Sequence, residues 1–294
     1  MKKIILKGHL KFYLKKFLTI MNNPIDKYGL FQERRSFLQG RRLYKQWQQQ
    51  GISSIPEMDI LRLILNSDDI VFDIGANIGE FTFFLSTIVS DGLIYAFEPQ
   101  KKPFKMLRAV SMNMKAVVPN NKGFSSSTGE TTLFIPIVEG FVSHTEASLD
   151  PRFNDYSGYE RRTKSKNSIQ ETIRLTTLDD FCETNFLDRL DFIKVDVEGH
   201  ELEILNGGSR ICLRKYRPIM LIEIFPYVYQ GHFENVCKFF KFHDYRGFVI
   251  SKSKDRVEPL TKINLKNSQG FNYFFVPQEK TSEFLYRIES KSMQ

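Results

Sequence analysis

Long apolar runs are missing from this sequence. No stretch of about 18 consecutive apolar residues occurs, so a membrane-spanning helix is not expected. Cysteine is scarce: Cys182, Cys212 and Cys237 lie far apart, in no metal-binding spacing. That pattern excludes a disulfide framework and a thiolate metal site, and it fits free thiols in a reducing cytosol. Acids are absent from the first twenty residues, where Lys2, Lys3, Lys7, Lys11, Lys15 and Lys16 crowd together. Lysines interrupt the apolar residues there and no small-residue cleavage site follows, so a secretory signal is not expected either.

The formal charge of +8 is therefore gathered largely at the N-terminus, where Arg34, Arg35, Arg41 and Arg42 follow the lysines. A nucleic-acid partner would want a basic or aromatic face beside a catalytic edge, and this placement disfavours one. Leu6, Leu10, Tyr13 and Phe17 recur at helical spacing, with Lys3, Lys7, Lys11 and Lys15 on another face. Residues 1–20 thus read as a basic amphipathic helix. Such a helix can dock on its own domain or make peripheral contact with an anionic membrane, here the inner face available to a cytoplasmic protein. A further helix is predicted near Glu33–Gln50, ended by Gly51. Residues 1–56 together form a basic helical extension.

The 294 residues, 41% of them hydrophobic, suffice for one large α/β domain. From Asn66 onward strands and helices alternate. Strands are predicted at Ile70–Ile74, Leu93–Phe97, Lys115–Val118, Phe192–Val197, Pro218–Phe225, Gly247–Ile250 and Asn272–Val276. Helices are predicted at Glu80–Val89, Pro99–Asn113, from Thr177 to Thr184, at Glu201–Leu213 and at His232–His243. This alternation implies a mainly parallel sheet with helices on both faces, the closing strands including an antiparallel one. Phe124 and Leu133–Val138 around Gly129 look like a hairpin. Residues 140–172 are rich in Ser, Tyr and charge and read as an insertion, a candidate lid. The domain is expected to span 57–280, with 281–294 as a tail.

Four of these strands close on a carboxylate: Asp73, Glu98, Asp196 (with Glu198 beyond it) and Glu223. Open α/β sheets bind ligands outside the carboxyl ends of their strands. Acids gathered there are costly unless paired or solvated, and the fold does not require them. The first turn runs Asp73-Ile-Gly75-Ala-Asn77-Ile-Gly79-Glu80. Its glycines permit a tight turn and close approach of a ligand. It lacks the third glycine of a dinucleotide loop, and the acid before it suits a zwitterionic sulfonium better than a pyrophosphate. Glu98, about 20 residues on, is placed to take ribose hydroxyls. In Asp191–Glu201, Lys194, Asp196 and Glu198 project to one side of a central strand, because strand side chains alternate faces. Gly199 then turns the chain into a helix that begins beside His200. No metal site is predicted.

The combination VFDIGANIGEFT (71–82), YAFEP (95–99), TLDDF (177–181) and DFIKVDVEGHELEILNGG (191–208) resembles the FkbM-type methyltransferase family. The resemblance covers 69–223 well and continues weakly to 277. It implies a Rossmann-like class I methyltransferase fold, S-adenosylmethionine as methyl donor, and O-methylation of a glycan, glycolipid or related small molecule. It further implies that Asp73, Gly75, Asn77 and Gly79 hold the methionine part and Glu98 the ribose, with Asp196 and Glu198 at the reacting centre. His200, Asp196 and Glu198 are the candidate catalytic bases, in no fixed order. An NAD(P)-dependent oxidoreductase and an RNA methyltransferase are the rival readings.

Overall fold

A computed structural model describes residues 29–52, 55–138, 141–149, 168–224, 231–251, 257–261 and 271–290. The basic helix expected over 1–20 lies outside the described residues. In chain order the helices are α1 (Gly29–Gln50), α2 (Pro56–Ile64), α3 (Glu80–Ser86), α4 (Lys101–Ser111), α5 (Leu178–Thr184), α6 (Glu201–Asn206), α7 (His232–Phe242) and α8 (Thr281–Glu289). The strands are β1 (Ile70–Ile74), β2 (Leu93–Phe97), β3 (Val117–Asn120), β4 (Gly123–Phe124), β5 (Gly129–Val138), β6 (Phe141–Val142), β7 (Ser168–Thr176), β8 (Phe192–Val195), β9 (Ile219–Glu223), β10 (Tyr245–Ile250), β11 (Val257–Pro259) and β12 (Asn272–Pro277).

Eight strands form the main sheet in the order β11-β10-β12-β9-β8-β1-β2-β3. β1, β2, β3, β8 and β9 run parallel, while β12 is antiparallel to both β9 and β10. The chain proceeds outward from β1 to β3, then returns to the other side of β1 for β8 and β9. The switch point therefore falls between β1 and β8, and a crevice opens beyond their carboxyl ends. This is the α/β class I methyltransferase fold.

Side chains alternate between the sheet's two faces. Phe72, Ile74, Ile193, Met220, Ile222, Tyr273 and Phe275 pack beneath α5, α6 and α7. Val71, Phe192, Leu221 and Phe274 face the opposite way, toward α2, α3, α4 and α8. Both faces are thus sealed by apolar contact, which is why these strands read as nearly continuous hydrophobic runs. α1 packs through Leu43, Tyr44 and Trp47 on Met106 and Val110 of α4. The helices approach closely because Gly40 has no Cβ; one built there would stand 2.5 Å from the Met106 carbonyl oxygen.

Several boundaries differ from the sequence reading. Phe124 and Leu133–Val138 are not hairpin partners. Both belong to a second sheet, ordered β4-β7-β5-β6, in which β5 pairs antiparallel with β7 and β4 parallel. β7 is largely exposed and polar, so hydrophobic alternation does not reveal it, and its first residues fall inside the stretch read as an insertion. The helix after His200 stops at Asn206, and Gly207 after it lies against the Ser125 carbonyl, where a Cβ would come within 2.2 Å. The buried Asp179 carboxylate then collects the backbone N–H groups of Arg210, Ile211 and Cys212. Thr281–Glu289, read as tail, is a helix that buries Phe284 and Ile288 against the core. No helix among the described residues is long and apolar enough to cross a membrane.

Candidate active site

The loop after β1 is shaped by its glycines. Gly75 (φ +79°), Asn77 (φ +50°) and Gly79 (φ +90°) all have left-handed backbones. The backbone N–H groups of Gly75 and Ala76 donate to the Phe97 carbonyl at the end of β2. On its other side Gly75 lies against Asp196, so near that a Cβ would meet its carbonyl oxygen at 1.9 Å. One tight turn is therefore wedged between the carboxyl ends of β2 and β8.

Asp73 is fully buried. It stands behind this loop rather than facing the cavity in front of it. Its Oδ2 accepts the Thr82 hydroxyl at 2.5 Å, and its Oδ1 lies 3.9 Å from the Lys194 ammonium on the paired strand β8. Burial pushes its carboxyl above the usual range, partly offset by Lys194.

Lys194 is 7% exposed and bonds the Asp196 carboxylate at 3.0 Å. Its ammonium also rides over the Phe81 ring. Burial opposes its charge, but Asp196 and Asp73 outweigh burial and raise its pKa. Glu223, at the end of the adjacent strand β9, hydrogen-bonds Asp196. Burial and the neighbouring Asp196 charge push the Glu223 carboxyl well up, so Glu223 keeps its proton and donates it. Burial works against the Asp196 charge too, yet Lys194 and Glu223 together hold Asp196 below the ordinary range.

Glu98 is buried at the end of β2. One of its oxygens accepts the Asn77 N–H at 2.9 Å and the other the Gln100 N–H at 2.8 Å. Each oxygen keeps acceptor capacity for a ligand. Burial outweighs these two bonds and pushes its pKa up to about 8.

β8 ends at Val195, before Asp196. Glu198 and Gly199 are left-handed (φ +55° and +97°), so Glu198 is placed by a turn and not by strand alternation as read from the sequence. The turn is held from below by the buried Glu201, which accepts the Gly199 N–H at 2.9 Å and bonds His232 at 2.6 Å. His200 opens α6 with Nε2 3.0 Å from the Ser125 hydroxyl. Burial lowers its pKa, so the ring is neutral at neutral pH.

Gly75, Asn77, Glu98, Asp196, Glu198 and His200 all line one cavity of about 260 Å³. Of the eight residues singled out from sequence, Asp73 and Gly79 are not on its wall. Glu223 is on it, as the fourth strand-end carboxylate suggested. Gln100 and His144 are on it too, and no sequence pattern marked them. Gln100 follows the acid motif by two residues, and His144 comes from the insertion.

The Asn77 Oδ1 is buried and has no hydrogen-bond partner among the described residues. An orphaned acceptor in a glycine loop, with a carboxylate that can take ribose hydroxyls beside it, fits the amino-acid and nucleoside parts of S-adenosylmethionine.

Fold and cavity together define a class I methyltransferase. Residues 73–247 match the methyltransferase FkbM domain, and the chain belongs to that family of S-adenosylmethionine-dependent methyltransferases. This assignment displaces the oxidoreductase reading. Among relatives, the chain is 30% identical over 158 residues to the hexuronic acid methyltransferase AglP of Haloferax volcanii, covering 51% of this chain and 56% of that protein. It is 28% identical over 161 residues to methyltransferase sdnD of Sordaria araneosa, covering 49% and 61%. The chain thus spans little more than half the length of these curated relatives. A crystal structure of methyltransferase FkbM from Methylobacillus flagellatus is 15% identical, covers 91% of this chain and 60% of that one, and superposes with a TM-score of 0.47.

Proposed function

We propose that this protein transfers the methyl group of S-adenosylmethionine to a hydroxyl oxygen of a sugar-containing acceptor. One observation carries the reading. The glycine loop, Glu98 and the segment from Asp196 to His200 converge on a single cavity at the sheet's switch point. The relative that acts on hexuronic acid supports a sugar as the acceptor class.

S-adenosylmethionine, when bound, supplies an electrophilic methyl group and departs as a neutral thioether. Asn77 and the loop hold its methionine part, and Glu98 takes its ribose. The protein then has to bring an acceptor oxygen into line with the methyl carbon and remove the hydroxyl proton, and positioning contributes much of the rate. Asp196 is a weak base, because Lys194 and the Glu223 proton already occupy it. His200 is neutral and stands on the same wall, so it receives the proton.

Calorimetric titration with S-adenosylhomocysteine tests the cofactor half of this reading. Micromolar binding by the wild type, lost in Glu98→Ala, supports it. No binding by folded wild type removes it. Turnover on hexuronic-acid-terminated oligosaccharides, set against simple polyketide alcohols, tests the acceptor half, and methylation of the alcohols alone would overturn it.

A further inference from the structure

Gln100 and His144 form a reciprocal pair whose geometry determines the state of the histidine. The Gln100 Nε2 donates to the His144 backbone carbonyl at 2.8 Å, and the Gln100 Oε1 lies 2.7 Å from His144 Nδ1. A carbonyl only accepts, so the amide NH₂ must face it and the amide oxygen must face the ring. An amide oxygen also only accepts, so Nδ1 must carry the hydrogen. Both residues are buried, and burial drives the His144 pKa down to about 3. The ring is therefore neutral, and Nε2 is a bare acceptor. Among the described residues Nε2 has no hydrogen-bond partner, and His144 lines the cavity.

Gln100 links this acceptor to the Glu98 carboxylate. The Gln100 backbone N–H bonds the Glu98 carboxylate, while its side chain bonds His144. Glu98 already supplies acceptors for the ribose hydroxyls. The part of the cofactor joined to that ribose is adenine, whose exocyclic amine is its hydrogen-bond donor, and His144 lines the same cavity. Resting on the cofactor reading above, we propose that His144, set in its Nδ1–H tautomer by Gln100, accepts a hydrogen bond from the exocyclic amine of the cofactor's adenine and so selects adenine over 6-oxo purines. The described part of the insertion then serves a definite purpose: it closes one side of the nucleoside pocket with a donor-selective wall. A 6-oxo purine would set an oxygen acceptor against Nε2, leaving two buried acceptors opposed.

The test is calorimetric titration of the full chain with S-adenosylhomocysteine and S-inosylhomocysteine at pH 7.5. The wild type should prefer the adenosyl compound by at least about tenfold, the scale of a lost hydrogen bond with a group left unpaired. His144→Phe should lower adenosyl affinity to the inosyl level, with circular dichroism unchanged. Gln100→Leu, which frees the tautomer, should shrink the preference while leaving His144 in place. Equal binding of both compounds by the wild type overturns the proposal and leaves the cofactor reading intact. A preference that survives in His144→Phe overturns it equally. Failure of folded wild type to bind either compound removes the cofactor reading, and this proposal with it.

Discussion

Gly75 meets the carbonyl oxygen of Asp196 with no room for a methyl group between them: a Cβ there would stand 1.9 Å from that oxygen. The contact ties the loop proposed to hold the methyl donor to the segment that carries Asp196, Glu198 and His200. Gly75→Ala is strained twice, by the clash and by a φ of +79°. The backbone penalty alone is about 1–2 kcal/mol. The variant should still fold, because the core does not pass through this contact. It should melt several degrees lower and bind S-adenosylhomocysteine at least about a hundredfold more weakly, since the loop must move to admit the methyl. Calorimetry beside a thermal melt checks both; near-native affinity would show that the two loops are not mechanically coupled.

Lys194 is the counter-charge for a buried acid and a half-exposed one. It lies 3.9 Å from Asp73 and 3.0 Å from Asp196. Lys194→Met removes the cation and leaves Asp73 buried without it. Breaking a buried pair in this way costs about 3–5 kcal/mol. The double variant Lys194→Met with Asp73→Asn should recover a substantial part of the loss, because a neutral amide can still bond Thr82 and carries no charge to bury. Urea unfolding of the two single variants and the double variant gives the coupling directly. Additive losses would mean that Lys194 stabilises through Asp196 and the Phe81 ring instead.

Much of this arrangement is legible in the sequence. The strands ending in Asp73, Glu98, Asp196 and Glu223 are buried on both faces, so their apolar runs and terminal acids stand out. Family motifs cover the same places. The turn at Glu198 is less visible, because strand alternation predicts a side chain in register while the chain has already left the strand at Val195. β7 escapes a hydrophobic pattern because its exposed face carries Ser168, Gln170, Thr172 and Arg174 and Glu171 interrupts the apolar residues of the other face, while its partner β5 lies about thirty residues upstream. The Gln100–His144 pair spans 44 positions. A contact of that kind depends on where an insertion folds back, and neither residue has a local pattern to announce it.

Glu98 makes cofactor binding depend on pH in a definite direction. Burial raises its pKa to about 8 against an ordinary 4.5, so the folded protein holds a proton there at pH 7 that an unfolded chain would release. Two ribose hydroxyls donating to the carboxylate favour its ionised form. Binding should therefore expel a proton, and affinity for S-adenosylhomocysteine should rise as pH goes from 6 to 8 and level off above about 8. Because the raised pKa favours the protonated fold, the apo protein should lose stability over the same interval, from above pH 4.5 until about 8. Titrations in two buffers of different ionisation enthalpy measure the released proton. A pH-independent affinity, with no proton released, would mean that Glu98 does not ionise on binding.

His200 should set the acidic limb of the reaction itself. Burial lowers its pKa below the ordinary 6.5, while the Glu203 and Glu201 charges act the other way. A base works in its unprotonated form, so the turnover rate should hold steady as pH falls to about 6.5 and decline only below that. His200→Gln keeps a polar side chain of similar reach at the start of α6, so the fold and cofactor affinity should survive. Turnover should drop by roughly 10²- to 10⁴-fold, the usual contribution of a positioned base, and the acidic limb should vanish with it. Asp196→Asn separates the alternatives. If His200 takes the proton, this variant loses its charge pairing with Lys194 and part of its rate but keeps the histidine limb. If Asp196 takes the proton, His200→Gln retains most of its rate and Asp196→Asn abolishes it. Rates of the three proteins between pH 5 and 9, at saturating S-adenosylmethionine, decide which group is the base.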